Sequence, residues 1–594
     1  MNKEFSMCQC EKYFQNFNRR AVIFFGVLTF CFLPISLKGQ SIFPFPMWFK
    51  DNIHRPSIHQ EVDRTSDFLT SNSQEKTLRL TESNAIHLVL ERNLDVVVDR
   101  FEPNLSFFQI EVASKIFEPT ISLSLGIDRN DRPLSSTFLT GTDTQTRLGH
   151  TADAALSKLF ETGTQFRVDY LSGRVSDNNR RNFLNPYWQA SVRTSITQPL
   201  LRNFGTLTNT RSIRIAHNNK DISDYVFEQQ VVSIVNQVQS LYWDLVFANE
   251  DVKVKQQSLD LAIKTNEDNK KMVEIGTLAP IEVFKSEVEI AIRRELLITA
   301  KYSLTQMEDQ MKKLISSVSD PGKILMRIEP LDSLASREDF KGFDLAQAVS
   351  YAIEQRPEIR QQRKRVDNAE IEVKYSRNQL LPDVRLNVFY GAAALEGVAR
   401  SLKVDPITGY PVGGSSPVIT NRTGIGDIFN RIFSSDFPTY GASFTVEIPL
   451  TNRGRQAEYA RASVSRRQSE KRLRAIEQQI ALEVRNAQKR LEMNRARIDV
   501  TQKIRELAER NLEAEEKKFQ LGTSQIRFVL EEQVRLAEAK TNEISALVNF
   551  TKSKRELDKA IGKTLEIHNI NIEDAIAGKV SQNNIKNGNG ALDR

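Results

Sequence analysis

The chain has 594 residues, 26% of them charged, with few Gly and Pro for its length, a composition that suits long helices. Net charge is +7, but the charges are interleaved along helical segments and read as solvated faces, which argues against a nucleic-acid footprint. The three cysteines, Cys8, Cys10 and Cys31, all lie in the first 39 residues, so disulfide and thiol chemistry is excluded from the rest of the chain.

Those first residues read as a signal peptide. Lys12, Arg19 and Arg20 precede an apolar run over 21–33, too short to span a bilayer comfortably as a helix, and cleavage is expected after Gly39. No later stretch is apolar enough for a transmembrane helix. An exported chain is then either a soluble periplasmic or secreted protein or an outer-membrane β-barrel. Residues 40–76 are a polar, loosely ordered lead-in.

A helical pattern then runs over about 81–117, with Ala85, Ile86, Leu88, Val89 and Leu90 on one face, and Pro119 ends it. Ile121, Leu123, Leu125 and Ile127 alternate with Ser122, Ser124, Gly126 and Asp128, which is a strand with one apolar and one polar face. Further strand-like sequence at 152–160 and 164–171 flanks a turn at 161–163. Its place, in a barrel or projecting from one, is open at this stage. A closing strand sets Ala190, Val192, Thr194 and Ile196 against Ser191, Arg193, Ser195 and Thr197, and ends at Pro199.

Residues 205–276 contain no Pro, and Gly only at the two ends. Val231, Ile234, Val238, Leu241, Leu245, Ala248 and Val252 recur at steps of three and four, with Leu259 and Ala262 continuing the seam beyond a polar break at Lys255. About 70 helical residues at 1.5 Å each predict a rod of roughly 105 Å. A turn at Gly276 leads to a helix of about half that length, from Pro280 to about Ser316.

The same order returns in the second half. Ala85 corresponds to Ala348, Glu91 to Glu354, Pro119 to Pro382, Ile234 to Ile480, Leu245 to Leu491 and Gly276 to Gly522. The second strands carry Val384, Leu386, Val388 and Tyr390 opposite Arg385 and Asn387, then Tyr440, Ala442, Phe444, Val446 and Ile448 opposite Gly441, Ser443, Thr445 and Glu447. Tyr187, Trp188, Tyr390 and Tyr440 fall near strand ends, where a membrane-interface belt would place them. The predicted order is a first repeat at 77–316, a connector at 317–342, a second repeat at 343–565 and a disordered tail at 566–594. A Gly-, Ser- and Pro-rich loop is expected over 391–438.

The fold class is mainly helical with membrane β-strands, built from two tandem helix–strand–strand–helix–helix repeats. Within each repeat two half-length helices should lie end to end beside one full-length rod. Four amphipathic strands cannot close a barrel alone, so identical copies must complete it around a polar lumen. Arg193, Arg385, Asn387 and Glu447 are expected to face that lumen.

The duplicated unit resembles the outer-membrane efflux (TolC-like) protein family over about residues 78–565. The resemblance rests on Thr197-Gln198-Pro199-Leu200-Leu201-Arg202, on Tyr242-Trp243-Asp244-Leu245-Val246, and on Ile275-Gly276-Thr277-Leu278. In the second repeat Ile448-Pro449-Leu450-Thr451-Asn452-Arg453-Gly454 and Leu521-Gly522-Thr523-Ser524 match. It implies a homotrimer with a barrel in the outer membrane lipid and a helical tunnel across the periplasm. A periplasmic adaptor, the membrane fusion protein, would join it to an inner-membrane transporter or secretion ATPase. The resemblance also implies adaptor docking by the two glycine turns, Ile275, Gly276, Thr277 and Leu278 with Leu521, Gly522, Thr523 and Ser524. It implies a periplasmic gate at Glu282, Phe519, Arg527 and Glu531. Phe528 stands where the family has a second acid, and Ser524 where Glu282 would find its basic partner, a role Arg527 could take.

Enzyme readings find little support. His54, His59, His87, His150, His217 and His568 have no metal-ligand spacing, and no P-loop, nucleophile elbow or HExxH is present, so no cofactor or metal is expected. The alternative is a periplasmic coiled-coil scaffold without a channel, which would have no need of strands that are apolar on one face.

Overall fold

The computed structural model describes residues 77–577, apart from 138–139, 141, 180–181, 316–325, 334–343, 402–405 and 408–417. The expected signal peptide and lead-in, most of the connector and the tail beyond residue 577 lie outside the described residues.

The two repeats are built from the same parts. β1 (Thr77–Leu80) leads into α1 (Glu82–Arg92), α2 (Leu94–Asp99) and α3 (Phe101–Ser114). The single helix expected over 81–117 is thus broken twice. Asn93 leaves helical geometry, and its side chain accepts from the amides of Asp95 and Val96 to start α2. The corresponding helix of the second repeat divides into α7 (Leu345–Gln355) and α8 (Pro357–Gln379). Pro357 lacks the amide a continuous helix needs, and it forces Arg356 into extended backbone.

The long rods are α5 (Arg211–Glu274), of 64 residues, and α10 (Arg453–Gln520), of 68. At 1.5 Å per residue each is about 100 Å long. A short α4 (Thr206–Asn209) precedes α5, separated from it by a kink at Thr210. α6 (Ile281–Ile315) returns along α5, and α11 (Ile526–Ile561) along α10, while α3 packs on the other half of α5 and α8 on the other half of α10. α8 and α11 also pack against α5 and join the two repeats side by side. Val231, Ile234, Val238, Leu245, Ala248, Leu259 and Ala262 are buried along the seam, as the periodicity requires.

Midway along the rods Phe227, Val235, Tyr242, Trp243 and Val246 are buried as well, because this part of α5 is covered on more than one side. β6 (Arg327–Pro330), from the connector, pairs in parallel with β1 over this core. The tail expected to be disordered from 566 onward instead holds the end of α12 (Thr564–Ile567) and all of α13 (Ile572–Ile576). Leu565, Ile570 and Ile572 pack against the same core and Ala575 is fully inside it, which explains why a mainly polar segment is held.

Among the described residues the remaining strands form one seven-stranded sheet in place of the expected four. Its members are β2 (Thr120–Pro133), β3 (Thr144–Leu159), β4 (Gln165–Asp177), β5 (Leu184–Pro199), β7 (Asp383–Ser401), β8 (Val418–Arg422) and β9 (Pro438–Glu447). The order is β2-β3-β4-β5-β7, with β8 and β9 both on β7, and every neighbouring pair is antiparallel. The strand-like sequence left unplaced by the sequence therefore lies inside the sheet, between β2 and β5. β7 runs on through Gly391 into the expected loop, because a Cβ there would stand 2.7 Å from the Val192 carbonyl and only Gly lets the two strands approach. The same loop also forms α9 (Ile425–Ser434). The sheet is open at β2 and at β9, so one chain closes no barrel.

Sheet and rods meet at one junction. Leu200 N–H donates to the Val384 carbonyl (2.8 Å), Asn203 N–H to the Asn378 side chain (2.8 Å), and Gln379 to the Asn203 side chain (2.7 Å). The buried ion pair Arg202–Asp383 ties the exit of the first repeat's sheet to the start of the second's. Removing Asp383 strands Arg202 in a site nearly closed to water, a cost of about 3–5 kcal/mol, whereas Asp383 without Arg202 keeps its pair with Arg385. Asp383→Ala should lower the melting temperature in detergent, and adding Arg202→Ala should recover part of the loss. A single variant as resistant as the wild type would show that the pair does not hold the junction.

Candidate functional site

Two regions gather the residues singled out by the sequence: the far tip of the rods and the faces of the sheet. At the tip, α5 and α10 end in the same motif. Gly276 N–H donates to the Val273 carbonyl and Thr277 N–H to the Met272 carbonyl, both at 2.9 Å. Gly522 and Thr523 repeat these two bonds to Phe519 and Lys518 at the same length. This is a Schellman end, and it needs a left-handed residue, which Gly276 (φ 80°) and Gly522 (φ 73°) supply. Nothing lies within 4 Å of a Cβ built at either glycine, so the requirement is conformational and not one of space. The hydroxyls of Thr277 and Thr523 donate to the same carbonyls, Met272 (2.9 Å) and Lys518 (3.0 Å).

The turns hold large apolar side chains in water: Ile275 is 76% and Leu521 79% exposed. Ser524 does not meet Glu282. Its hydroxyl donates to Glu515 across the turn, and with Lys518 this holds the Glu515 carboxyl below its usual range. Phe519 packs against the apolar cluster of Leu512, Ile526, Val529 and Leu530.

Beside the turns, α6 and α11 flank an open cavity of about 490 Å³, floored by Ile526, Leu530 and Val534 and bordered by Glu282, Lys285, Glu289, Arg527, Glu531 and Arg535. Three of the four residues read as a gate are therefore brought together here, while Phe519 lies in the neighbouring apolar cluster. Within the chain, Glu282 pairs with Lys285 (2.7 Å) and Arg527 with Glu531 (3.7 Å), and the Arg527 guanidinium lies over the Phe528 ring at 4.8 Å. Lys285 and Glu289 were missed by the sequence reading, although they lie three and seven positions beyond Glu282 on one helix face.

A more consequential omission is Arg293. Its side chain is 2% exposed, and it donates to Glu289 (2.9 Å), the Ser258 carbonyl (2.9 Å), Gln533 (3.0 Å) and the Leu530 carbonyl (3.3 Å). One guanidinium thereby joins α5, α6 and α11 just above the cavity. No sequence signal separates it from the surface arginines around it.

On the sheet, register divides most side chains by face, with Lys158 and Glu396 on the apolar side and Leu171 and Phe389 on the charged side among the exceptions. One face carries Ile121, Leu123, Leu125 and Ile127 on β2 and Tyr440, Phe444 and Val446 on β9, with Leu156, Val168, Ile196 and Val388 between them. These edge residues are bare: Leu125 is 72% and Phe444 63% exposed. The other face carries Arg167, Asp169, Arg193, Arg385, Asn387 and Glu447. Arg385 pairs with Asp383 (3.2 Å) and Glu447 (3.6 Å), and Arg193 covers the Phe389 ring at 4.1 Å.

α9 lies on the apolar face, over the middle of β4, β5 and β7. Ile428 and Ile432 are buried against Ala190, Ala392 and Ala394, Phe429 stacks on Tyr170 (6.1 Å), and Arg431 pairs with Glu396 (2.5 Å). Among the described residues no helix is long and apolar enough to cross a membrane, and no cluster of His, Cys, Asp and Glu could hold a metal ion.

The family model for outer membrane efflux protein matches residues 85–317 and 348–563. No curated protein sequence matches the chain. Solved structures share the fold. The Campylobacter jejuni CmeC outer membrane channel is 16% identical, covering 85% of this chain and 90% of that one at a TM-score of 0.56. The Vibrio cholerae outer membrane protein VceC is 14% identical, covering 81% and 96% at 0.55. The open state of the Neisseria gonorrhoeae MtrE outer membrane channel is 15% identical, covering 82% and 89% at 0.51.

The twin caps make a direct prediction. Gly276→Ala and Gly522→Ala should each cost about 1–2 kcal/mol locally, since φ stays positive whatever the side chain. Hydrogen exchange at the Thr277 and Thr523 amides should speed up roughly tenfold or more, and Asn in place of Gly should restore much of the protection. Unchanged exchange in the Ala variants would show that the caps do not hold the tip.

Proposed function

The chain belongs to the outer membrane efflux protein family, and on that premise we propose that three copies form an export duct from the periplasm to the outside. The protein resides in the outer membrane, as the family does. What carries the reading further is the joining, at one junction, of a sheet with one apolar and one charged face to rods of about 100 Å. The apolar face suits lipid and the charged face a water-filled lumen. β2 and β9 leave the sheet with unpaired backbone groups, which lipid cannot satisfy. The edges run in opposite directions, so β9 of one copy can pair with β2 of the next around a closed ring.

The same rows support a level for the membrane. On β2 the apolar row gives way to Arg129 and Asp131 beyond Ile127, and these two pair with each other at 3.1 Å. On β7 the aromatic Tyr390 stands opposite Tyr440 of β9, with Phe433 and Phe437 exposed nearby. α9 keeps Ile428 and Ile432 on the sheet and turns Asp427, Asn430 and Arg431 outward beside Phe433, a mixed face that suits the headgroup layer and not the hydrocarbon. Arg193, Arg385, Asn387 and Glu447 would line the lumen.

At the opposite end, bare Ile275 and Leu521 on rigid caps suit docking by a periplasmic adaptor that links the duct to an inner-membrane transporter or secretion ATPase. Glu282, Arg527 and Glu531 beside one cavity suit a gate. In a ring of identical copies their intrachain pairs can be exchanged for contacts with neighbours. An acidic ring of Glu531 would favour cations.

Conductance across a planar bilayer, measured on detergent-purified protein of known oligomeric mass, tests this reading. Small, infrequent openings of a trimer are expected, with larger resting conductance in Glu531→Ala and Glu282→Ala. A protein without conductance, even with these charges removed, would overturn the channel reading. Ile275→Asp with Leu521→Asp should abolish export in cells while leaving trimer and conductance intact. Normal export by that variant would remove the turns from adaptor docking.

A further inference from the structure

We propose that the β3–β4 hairpin is part of the membrane wall, so that each copy contributes six long strands, three copies close eighteen, and the outer lumen takes bulkier cargo than a twelve-stranded barrel would. The inference rests on the channel reading above and specifies its width. Four observations carry it.

First, β2 does not pair with β5. The ladder runs from β2 to β3 over Thr120–Pro133, then to β4, and only then to β5, so among the described residues the hairpin is what bridges them. Second, the hairpin alternates in phase with its neighbours. Leu156, Ala154, Val168 and Tyr170 share the apolar face, while Asp153, Arg167 and Asp169 share the charged one. A hairpin projecting into water would have no need of that division. Third, two is the smallest number of added strands that preserves closure. With six antiparallel strands the edges β2 and β9 still run in opposite directions, whereas a single extra strand would leave them parallel.

Fourth, the apolar rows slide as a tilted wall demands. Pairing sets Tyr390 level with Thr194, Val168, Leu156 and Ile121. The row opens at Val384 on β7 but at Ile121 on β2, so its rod-side end climbs from the level of Val384 to that of Tyr390. The slide is about six residues over four strand steps, or roughly 1.5 per strand, and with a rise near 3.3 Å and a spacing near 4.8 Å it corresponds to a tilt of about 45°. That is the tilt of a barrel wall, and it is reached only with β3 and β4 counted in.

The hairpin turn is anchored at the rod end of the sheet. Gly205 N–H donates to the Thr162 carbonyl (3.2 Å), and Thr164 donates to Gln198. Barrel diameter grows roughly linearly with strand number, so eighteen strands give a lumen about half as wide again as twelve.

The test uses paired cysteines in the full chain with Cys8, Cys10 and Cys31 replaced by Ser. Leu123→Cys with Ala154→Cys joins β2 to β3, and Val168→Cys with Thr194→Cys joins β4 to β5. Val192→Cys with Ala392→Cys, across β5 and β7, is the control. Mild oxidation of outer membranes should close all three disulfides within one chain, read by mass spectrometry. A closed control with both hairpin pairs still reduced would put the hairpin outside the wall and leave the channel reading standing. An open control, in protein that does not reach the outer membrane, would bring down both. Width is read separately, with Ser195→Cys on the charged face and maleimides on polymers of graded size applied from outside the cell. Labelling by polymers about 20 Å across is expected, and a cut-off near that of a twelve-stranded barrel would overturn the wider lumen.

Discussion

The ladder between β5 and β7 is where two repeats become one molecule. It runs from Leu184 against Ala399 to Pro199 against Arg385, and the buried Arg202–Asp383 pair continues the union just below it. Everything on either side takes its position from this ladder. Above it, the strands inherit a common register and therefore a common division into apolar and charged faces. Below it, α5 leaves the end of β5 and α8 ends at the start of β7, so the two repeats descend side by side.

The rods then solve a different problem. A helix of 64 or 68 residues has far more surface than one partner can cover. Each is sheathed by two shorter helices end to end, and α5 is covered again by helices of the second repeat. The breaks at Asn93 and at Arg356–Pro357 let the short helices follow this sheath and turn inward to the central core. Near the tip, Arg293 of α6 adds hydrogen bonds to two neighbouring helices, α5 and α11. A buried guanidinium is costly to desolvate, and its worth here lies in fixing the spacing of α5, α6 and α11. The proposed gate residues sit directly on that frame.

The two ends of the molecule answer to opposite demands. The tip keeps bare apolar side chains in water on rigid glycine caps, an arrangement that suits a protein partner. The sheet keeps a bare apolar face and two bare edges, an arrangement that suits lipid and further copies of the chain. The extra hairpin changes the second demand without touching the first. It widens the sheet while the rods, their caps and the cavity between α6 and α11 remain as the duplication sets them.

Much of this was legible in the residues. Pattern alone located both long helices, because a seam repeated every three or four positions is dictated by helix geometry. It located the glycine turns, because Schellman ends need a left-handed residue. It also divided Arg193, Arg385, Asn387 and Glu447 from the apolar row, since strand residues alternate strictly between faces. What remained hidden was decided by contacts between distant segments. Sequence 152–171 looked strand-like, but only pairing with β2 on one side and β5 on the other could place it. Residues 566–576 looked like a loose polar tail, and only the core around Tyr242 and Trp243 gives Ile570 and Ala575 somewhere to go. Arg293 looked like any helix-surface arginine, because a side chain's neighbours across three helices leave no trace in its own stretch of sequence. Local periodicity follows from local backbone geometry and can be read one segment at a time, whereas strand order and buried polar contacts depend on which segments meet, and that only the folded chain decides.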